Sequence, residues 1–331
     1  MQNKHYWIEI FEAIIIIVLL VLLLDSYISS HKSAQKSVKD GGLLSPRIYT
    51  GILKPQSLLI TSFEPLKIGI KDFFEENNIT ASVYIENLRN GASMGIGQNK
   101  GYFPASLHKL PVAVLILQKV EHGTLNLTTK LPIYDSDRTQ TSGTFYSVKK
   151  KESTVKVLLE EMIKQSDNTA FNVLYHHVDK AELAHLLEYY DIKINLDYPS
   201  EKIKLFNDTT TITPVSIYNL FSSLYLSTVL IPQDSEYILS LLTNTTFDIN
   251  KLAHLPSNVT VAHKYGLYYD NGEEFFHDCG IMYIGEGRFF YCIMTKHLDG
   301  KNALATIGII VNSIYTYIIE ERTQLQSYKF K

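Results

Sequence analysis

Hydrophobic and polar positions along the chain fall into distinct regimes. From Ala13 to Leu24 no polar side chain appears. Extended back through Trp7, Ile8, Ile10 and Phe11, this segment reaches the ~20 residues that span a bilayer. Glu9 and Glu12 interrupt the extension and belong near an interface. No small-x-small cleavage site stands out in DSYISSHKSAQ, so residues 1–28 predict a retained transmembrane anchor rather than a removed signal peptide. Flanking charges mark its orientation poorly: Lys4 precedes the span, while Lys32, Lys36 and Lys39 follow it. Residues 29–61, with Gly41, Gly42, Pro46 and Pro55, read as a linker, and residues 62–331 as one folded domain.

Within that domain the period of the pattern changes twice. EPLKIGIKDFFEEN places Leu66, Ile70, Phe73 and Phe74 on one helical face. TASVYIENL alternates as a strand, and GASMGIG reads as its hairpin partner. Leu107 to Val120 is apolar nearly all round, which predicts a buried helix opening at Ser106, with Pro111 in its early turns. Helical patterns follow in TVKVLLEEMIK, capped by Ser153, then in NTAFNVLYHHV and KAELAHLLEYY. Thr213 and Pro214 make an N-cap and first helical position for VSIYNLFSSLYL. The pattern then reverts to strands, NVTVAHKYGLYY, EFFHDCGIMYI and RFFYCIMTKHL, and closes on a long helix, ALATIGIIVNSIYTYIIEE. This order predicts an α+β fold. An antiparallel sheet is built from both ends of the domain and flanked by the terminal helices, with an all-helical subdomain inserted.

Composition narrows the partners. The chain has 331 residues, a formal charge of −3 and 45% hydrophobic side chains, enough for a sizeable core. Slight acidity argues against a nucleic-acid partner, which requires a basic patch. The two cysteines, Cys279 and Cys292, fall on adjacent predicted strands. A cross-strand bridge is open to them, but two reduced, buried thiols are the expectation. His176, His177 and His185 lack a third ligand at metal spacing, so no metal site and no cofactor are expected.

Candidate chemistry lies in three short motifs. FPASLHK puts Ser106 and Lys109 one helical turn apart, a hydroxyl beside an amine able to activate it. Ser166, Asp167 and Asn168 end the helix that follows Gly143, and Lys264, Tyr265 and Gly266 sit on a predicted strand. Each motif is common alone. Together, in the order S-x-x-K, S-D-N, K-x-G, they resemble the serine acyl-enzyme family of class A β-lactamases and penicillin-binding proteins. Phe103 and Pro104 before the serine, Thr169 and Ala170 after Asn168, and HDCGIM from His277 strengthen the resemblance.

The resemblance implies a nucleophile at Ser106 and a base or proton shuttle at Lys109. Lys264 would be the neighbouring cation that lowers the Lys109 pKa, with Ser166 between the two lysines. It implies substrate contacts from Asn168, from Tyr265 and Gly266, and from Leu267, whose backbone N–H would share an oxyanion hole with that of Ser106. Asp167 is expected to fix its loop instead. The chain departs from the family in three places. Tyr265 replaces a small hydroxyl residue that helps bind a substrate carboxylate. Cys279 or its neighbour falls where many class A enzymes carry a carboxylate-binding arginine. The segment LDYPSEKIKLFNDTTT, short and altered, holds one glutamate, Glu201, a candidate deacylating base whose other and more expected reading is solvated surface, like Lys202 and Lys204 beside it. Bland roles are expected for His108, packed at the cleft rim, and for His277 with Asp278, a structural hydrogen-bonded pair.

The expectation is a membrane-anchored serine hydrolase outside the cytoplasmic membrane. It would act on a β-lactam or a peptidoglycan-derived peptide, touch the lipid bilayer through its N-terminal helix, and bind no nucleic acid. The alternatives are a D-alanyl-D-alanine-type peptidase and, from another class, an inactive cell-wall binding or sensing module.

Overall fold

The structure, a computed structural model, describes residues 62–194, 211–270 and 273–328. The predicted anchor, the linker and Glu201 lie outside the described residues. The first helix, α1 (Glu64–Glu76), buries Leu66, Ile70 and Phe74 at the predicted helical spacing. Strands β1 (Ala81–Asn87) and β2 (Ser93–Ile96) form the predicted hairpin. A 3-10 turn over Ala105–His108 leads into α2 (Lys109–Glu121), whose first nine residues are all buried. A small two-stranded ribbon, β3 (Lys130–Pro132) with β4 (Glu152–Thr154), interrupts the helical insertion. Helices α3 (Val155–Lys164), α4 (Asn168–Tyr175), α5 (Lys180–Tyr189), α6 (Pro214–Tyr225), α7 (Pro232–Leu242) and the short α8 (Ile249–Leu252) complete that insertion. Long strands β5 (Thr260–Asp270), β6 (Glu273–Ile284) and β7 (Gly287–Lys296) follow, then α9 (Gly300–Tyr328).

The main sheet is antiparallel, in the order β2-β1-β7-β6-β5. Early strands and late strands meet at the β1–β7 pairing, so the sheet is indeed built from both ends of the domain. Side chains alternate between its faces. On β7, Phe290, Cys292 and Met294 pack toward the helical insertion, whereas Phe289, Tyr291 and Ile293 pack under α1 and α9. Both faces are covered, which is why these strands read as near-continuous apolar runs. Residues Gly300–Glu321 of α9 are long and apolar enough to cross a bilayer. They are a core helix instead, because Ala303, Ile307, Ile310, Val311, Ile314 and Ile318 are buried in the cluster formed with the sheet.

Several local expectations need correction. Ser106 and Lys109 do not open one α-helix: they span the 3-10 turn, where Leu107 N–H donates to the Pro104 carbonyl at 3.1 Å. Pro111 therefore falls in the first turn of α2, where its missing N–H is harmless. Thr154, not Ser153, caps α3: its hydroxyl accepts from Val157 N–H, while Ser153 lies in β4. The capping of α6 by Thr213 with Pro214 behind it is as expected, reinforced by a reciprocal bond with Ser216. Cys279 and Cys292 are not reduced. They are direct partners in the β6–β7 register, on one face, and are joined by a disulfide. His277 and Asp278 do not pair, since neighbours on a strand point to opposite faces. Asp278 accepts from His263 Nδ1 at 2.7 Å and from the Tyr291 hydroxyl at 2.5 Å. His277 Nε2 instead donates to the Phe103 carbonyl at 2.8 Å.

Candidate active site

Three elements bring the motif residues together. The 3-10 turn makes three residues one full turn, so Ser106 and Lys109 stack directly. Lys109 Nζ lies 3.2 Å from Ser106 Oγ and 3.1 Å from Ser166 Oγ, and it also donates to the Ser166 carbonyl. Two backbone residues here hold left-handed conformations without being glycine: Ala105 at φ 44° and Ser166 at φ 53°. Such strain persists only where surrounding structure over-determines it. For Ala105 that structure includes the His277 bond to Phe103 and the close approach of β5.

Gly266 makes that approach. A Cβ at this position would sit 3.0 Å from Ala105 Cβ and 3.2 Å from the Ser106 backbone nitrogen. A side chain here would have to push the turn back by a few tenths of an ångström, so glycine suits this close approach. Leu267 follows directly and is exposed. Lys264, fully buried, lies near enough to Lys109 for the two charges to repel. Its Nζ donates to the Tyr265 carbonyl at 3.2 Å. The expected link from Lys264 to Ser166 is therefore replaced by this bond.

Electrostatics push both amines toward neutrality. Burial, then the Lys264 cation, hold the Lys109 pKa well below the usual lysine range, against a smaller opposing pull from Asp167. Burial lowers Lys264 to about 7, opposed by Asp278. A lysine beside a serine, in surroundings that disfavour its protonated form, is arranged to accept the hydroxyl proton.

The Ser-Asp-Asn loop is held as expected for Asp167. Its carboxylate caps α4 by accepting from Ala170 N–H at 2.8 Å and reaches across to Phe145 N–H at 2.7 Å. Gly143, at φ 79°, has no side chain because any Cβ would meet Asp167 Oδ2 at 2.0 Å. Asn168 faces outward from the first turn of α4, and its amide donates to Thr141 Oγ1 at 2.6 Å. His108 packs edge-on against Phe171, ring centroids 4.8 Å apart. Burial lowers its pKa to about 3, so it is neutral.

Sequence reasoning missed Thr141, which orients Asn168, and Phe247, whose ring lies 5.1 Å from that of Tyr265, and it gave His277 the wrong partner, since His277 ties β6 to the nucleophile turn. Each acts across a long stretch of chain, and no local spacing announces it. Ser106, Lys109 and Ser166 are joined by hydrogen bonds, Lys264 lies near enough to Lys109 to lower its pKa, and Gly266 packs on the nucleophile turn, while Asn168, Tyr265 and Leu267 are the chain neighbours of these residues. Glu201 lies outside the described residues.

Known proteins agree with this architecture. The model of the beta-lactamase enzyme family matches residues 65–318. The structure of PBP-A superposes with a TM-score of 0.70 at 23% identity, covering 81% of this chain and 100% of that one. The L158E mutant of PBP-A, an acyl-enzyme complex with penicillin G, gives a TM-score of 0.67 at 23% identity, over 80% and 100% of the two chains. A β-lactamase from Chitinophaga pinensis gives 0.69 at 17% identity, over 76% and 99%. Among curated proteins nothing matches.

Proposed function

We propose that this chain, which belongs to the beta-lactamase enzyme family through residues 65–318, is a serine hydrolase acylated on Ser106 by a β-lactam or a cell-wall peptide amide. The observation that carries the reading is Lys109 Nζ within 3.2 Å of both the Ser106 and Ser166 hydroxyls.

In the proposed reaction the Lys109 amine takes the Ser106 proton as Oγ bonds to the substrate carbonyl carbon. Negative charge develops on the carbonyl oxygen and is met by the N–H groups of Ser106 and Leu267. Donors of this kind are worth about 10²–10³ in rate. As the C–N bond breaks, the Ser166 hydroxyl gives its proton to the leaving nitrogen and is reprotonated by Lys109, which restores the free amine. Asn168 holds the substrate's own amide group with its donor and acceptor. Burial, with the neighbouring Lys264 when it carries its charge, disfavours protonation of the Lys109 amine. Release of the acyl group requires a base that activates water, and the one glutamate of the expected segment, Glu201, is read as solvated surface rather than as that base, so deacylation is slow.

Residues 1–28 serve as a single-pass anchor. The domain from residue 62 onward faces outward from the cytoplasmic membrane, where β-lactams and the cell wall are found. A second reading, a D-alanyl-D-alanine-type peptidase, draws support from the penicillin acyl-enzyme formed by the PBP-A mutant, which shares this fold. Incubating the full chain with a fluorescent penicillin tests both. Label that disappears in Ser106→Ala and falls at least about a hundredfold in Lys109→Ala supports acylation. No label from penicillin and no cleavage of a D-alanyl-D-alanine peptide would leave the inactive binding module.

A further inference from the structure

Away from the nucleophile turn, the two terminal helices leave an apolar groove of about 470 Å³ between them. Leu66, Gly69 and Phe73 of α1 line one wall, and Ile309, Ser313 and Tyr317 of α9 the other. The helices run antiparallel here, because Tyr317, late in α9, meets the start of α1. Its ring lies 6.0 Å from that of Phe63, and its hydroxyl donates to the Ser62 carbonyl at 3.0 Å. From the first turn of α1 to Phe73 the groove is about 12 Å long. Ile309, at its far end, is 47% exposed.

Gly69 stands in the middle of α1, where glycine is a poor helix former. A Cβ at this position would meet no described atom within 4 Å, so the packing of α1 on α9 does not call for a glycine. Gly143 and Gly266 differ in this respect, since a close neighbour faces each of them. The missing side chain at Gly69 deepens the groove at its middle and leaves room there for an occupant. The Ser313 hydroxyl, which donates to the Ile309 carbonyl at 2.9 Å, keeps its lone pairs for a backbone N–H of that occupant.

The chain itself supplies a segment of the right kind. The described residues begin at Ser62, at the mouth of the groove beside Tyr317. Immediately before it the sequence runs Ser57, Leu58, Leu59, Ile60, Thr61, with three large apolar side chains in a row. At about 3.3 Å per extended residue, roughly four residues cover the groove. A chain that turns back at Ser62 therefore delivers Leu58, Leu59 and Ile60 to it. Being covalently joined, this segment competes with any separate molecule at an effective concentration on the order of millimolar.

We propose that residues 57–61 fold back at Ser62 and lie along this groove as a strap, with Leu58, Leu59 and Ile60 seated between α1 and α9. The linker then leaves the domain beside Phe73 and Ile309, about 12 Å from the start of α1, and bridges the two terminal helices.

Thermolysin, which cuts before large apolar residues, tests this on the full chain in lipid nanodiscs, with the cut sites read by mass. The bonds before Leu58, Leu59 and Ile60 are expected to be cut at least about tenfold more slowly than the bond before Ile48, in the same linker but outside the strap. Gly69→Leu fills the groove from its middle, and Ile309→Asp sets a charge at its far end. Each should abolish the protection. Circular dichroism shows whether each variant is folded, and if Gly69→Leu is not, the wild-type ratio and Ile309→Asp decide. Equal cutting before Ile48 and before Leu58, Leu59 and Ile60 in the wild type overturns the strap. Protection that survives in the folded variants overturns the groove as its seat. Protection lost on dilution, as a dimer dissociates, places a second copy in the groove and overturns the strap. Protection lost on transfer to detergent makes the bilayer the cover and overturns it too.

Discussion

Replacing Lys264 with methionine should make the protein more stable and less active. Burial lowers the Lys264 pKa from 10.5 to about 7. At about 1.4 kcal/mol per pKa unit, keeping the charged amine in this site costs at most ~5 kcal/mol below pH 7. The folded state sheds its proton near pH 7, whereas the unfolded chain keeps it up to about 10.5. Across that window the unfolded state binds more protons, so wild-type stability rises with pH. Methionine fills a similar volume without a charge, but it leaves the Tyr265 carbonyl without its Lys264 donor, a loss of ~1 kcal/mol. With allowance for relaxation around the amine, Lys264→Met should gain ~1–3 kcal/mol at pH 6, or roughly 2–10 °C in Tm. Its advantage should shrink steadily toward pH 10. Lys109, whose pKa is also lowered, retains a slope of the same sign in the variant. Thermal unfolding of both proteins from pH 6 to pH 10 measures this, beside penicillin acylation, which should fall by about a hundredfold or more. A variant that is less stable than wild type at pH 6, or an advantage that grows with pH, would refute a buried, depressed Lys264.

Asp167→Ala removes the acceptor for two buried N–H groups, of Ala170 and Phe145, and should lower stability by ~3 kcal/mol in denaturant titration. The disulfide between Cys279 and Cys292 predicts that the unfolded, unreduced chain takes up no alkylating reagent and that reduction exposes both thiols. Uptake before reduction would show free cysteines. Deleting the residues up to Asp25 should release a detergent-free soluble domain with unchanged circular dichroism, because a spanning helix packs against lipid. Aggregation or loss of helix signal would place that segment in the core.

The fold was legible from period alone because its elements are long and their faces unambiguous. The helix of Leu66, Ile70 and Phe74 and the three long apolar strands lie within a residue or two of their expected ends. The motif residues were legible through their order along the chain, and Asp167 through its capping chemistry. What depended on register was not. The Cys279–Cys292 bridge requires knowing that the two are opposite one another, and the partners of His277 require knowing which face of β6 it leaves. Local competition also hid details: Ser153 and Thr154 are both good caps, and the ribbon formed by β3 and β4 takes the serine. The 3-10 turn at Ser106 follows from the approach of β5 and the strained Ala105, neither of which has a local signature. Tyr265 was visible as a departure from the motif, but its fold around the sheet edge onto Lys264 was not.

The central claim is acylation of Ser106 followed by slow release, and intact mass spectrometry of the full chain mixed with a penicillin tests it most directly. Formation requires Ser106, Lys109 and the paired backbone donors, and release requires a positioned base for water, a role that a solvated Glu201 does not fill. A time course should show a single covalent adduct that persists for minutes or longer, is absent in Ser106→Ala and changes little in Glu201→Gln. An adduct that disappears within seconds in the wild type and is trapped by Glu201→Gln would contradict the account and make Glu201 an efficient deacylating base. No adduct from any β-lactam or cell-wall peptide would contradict acylation itself.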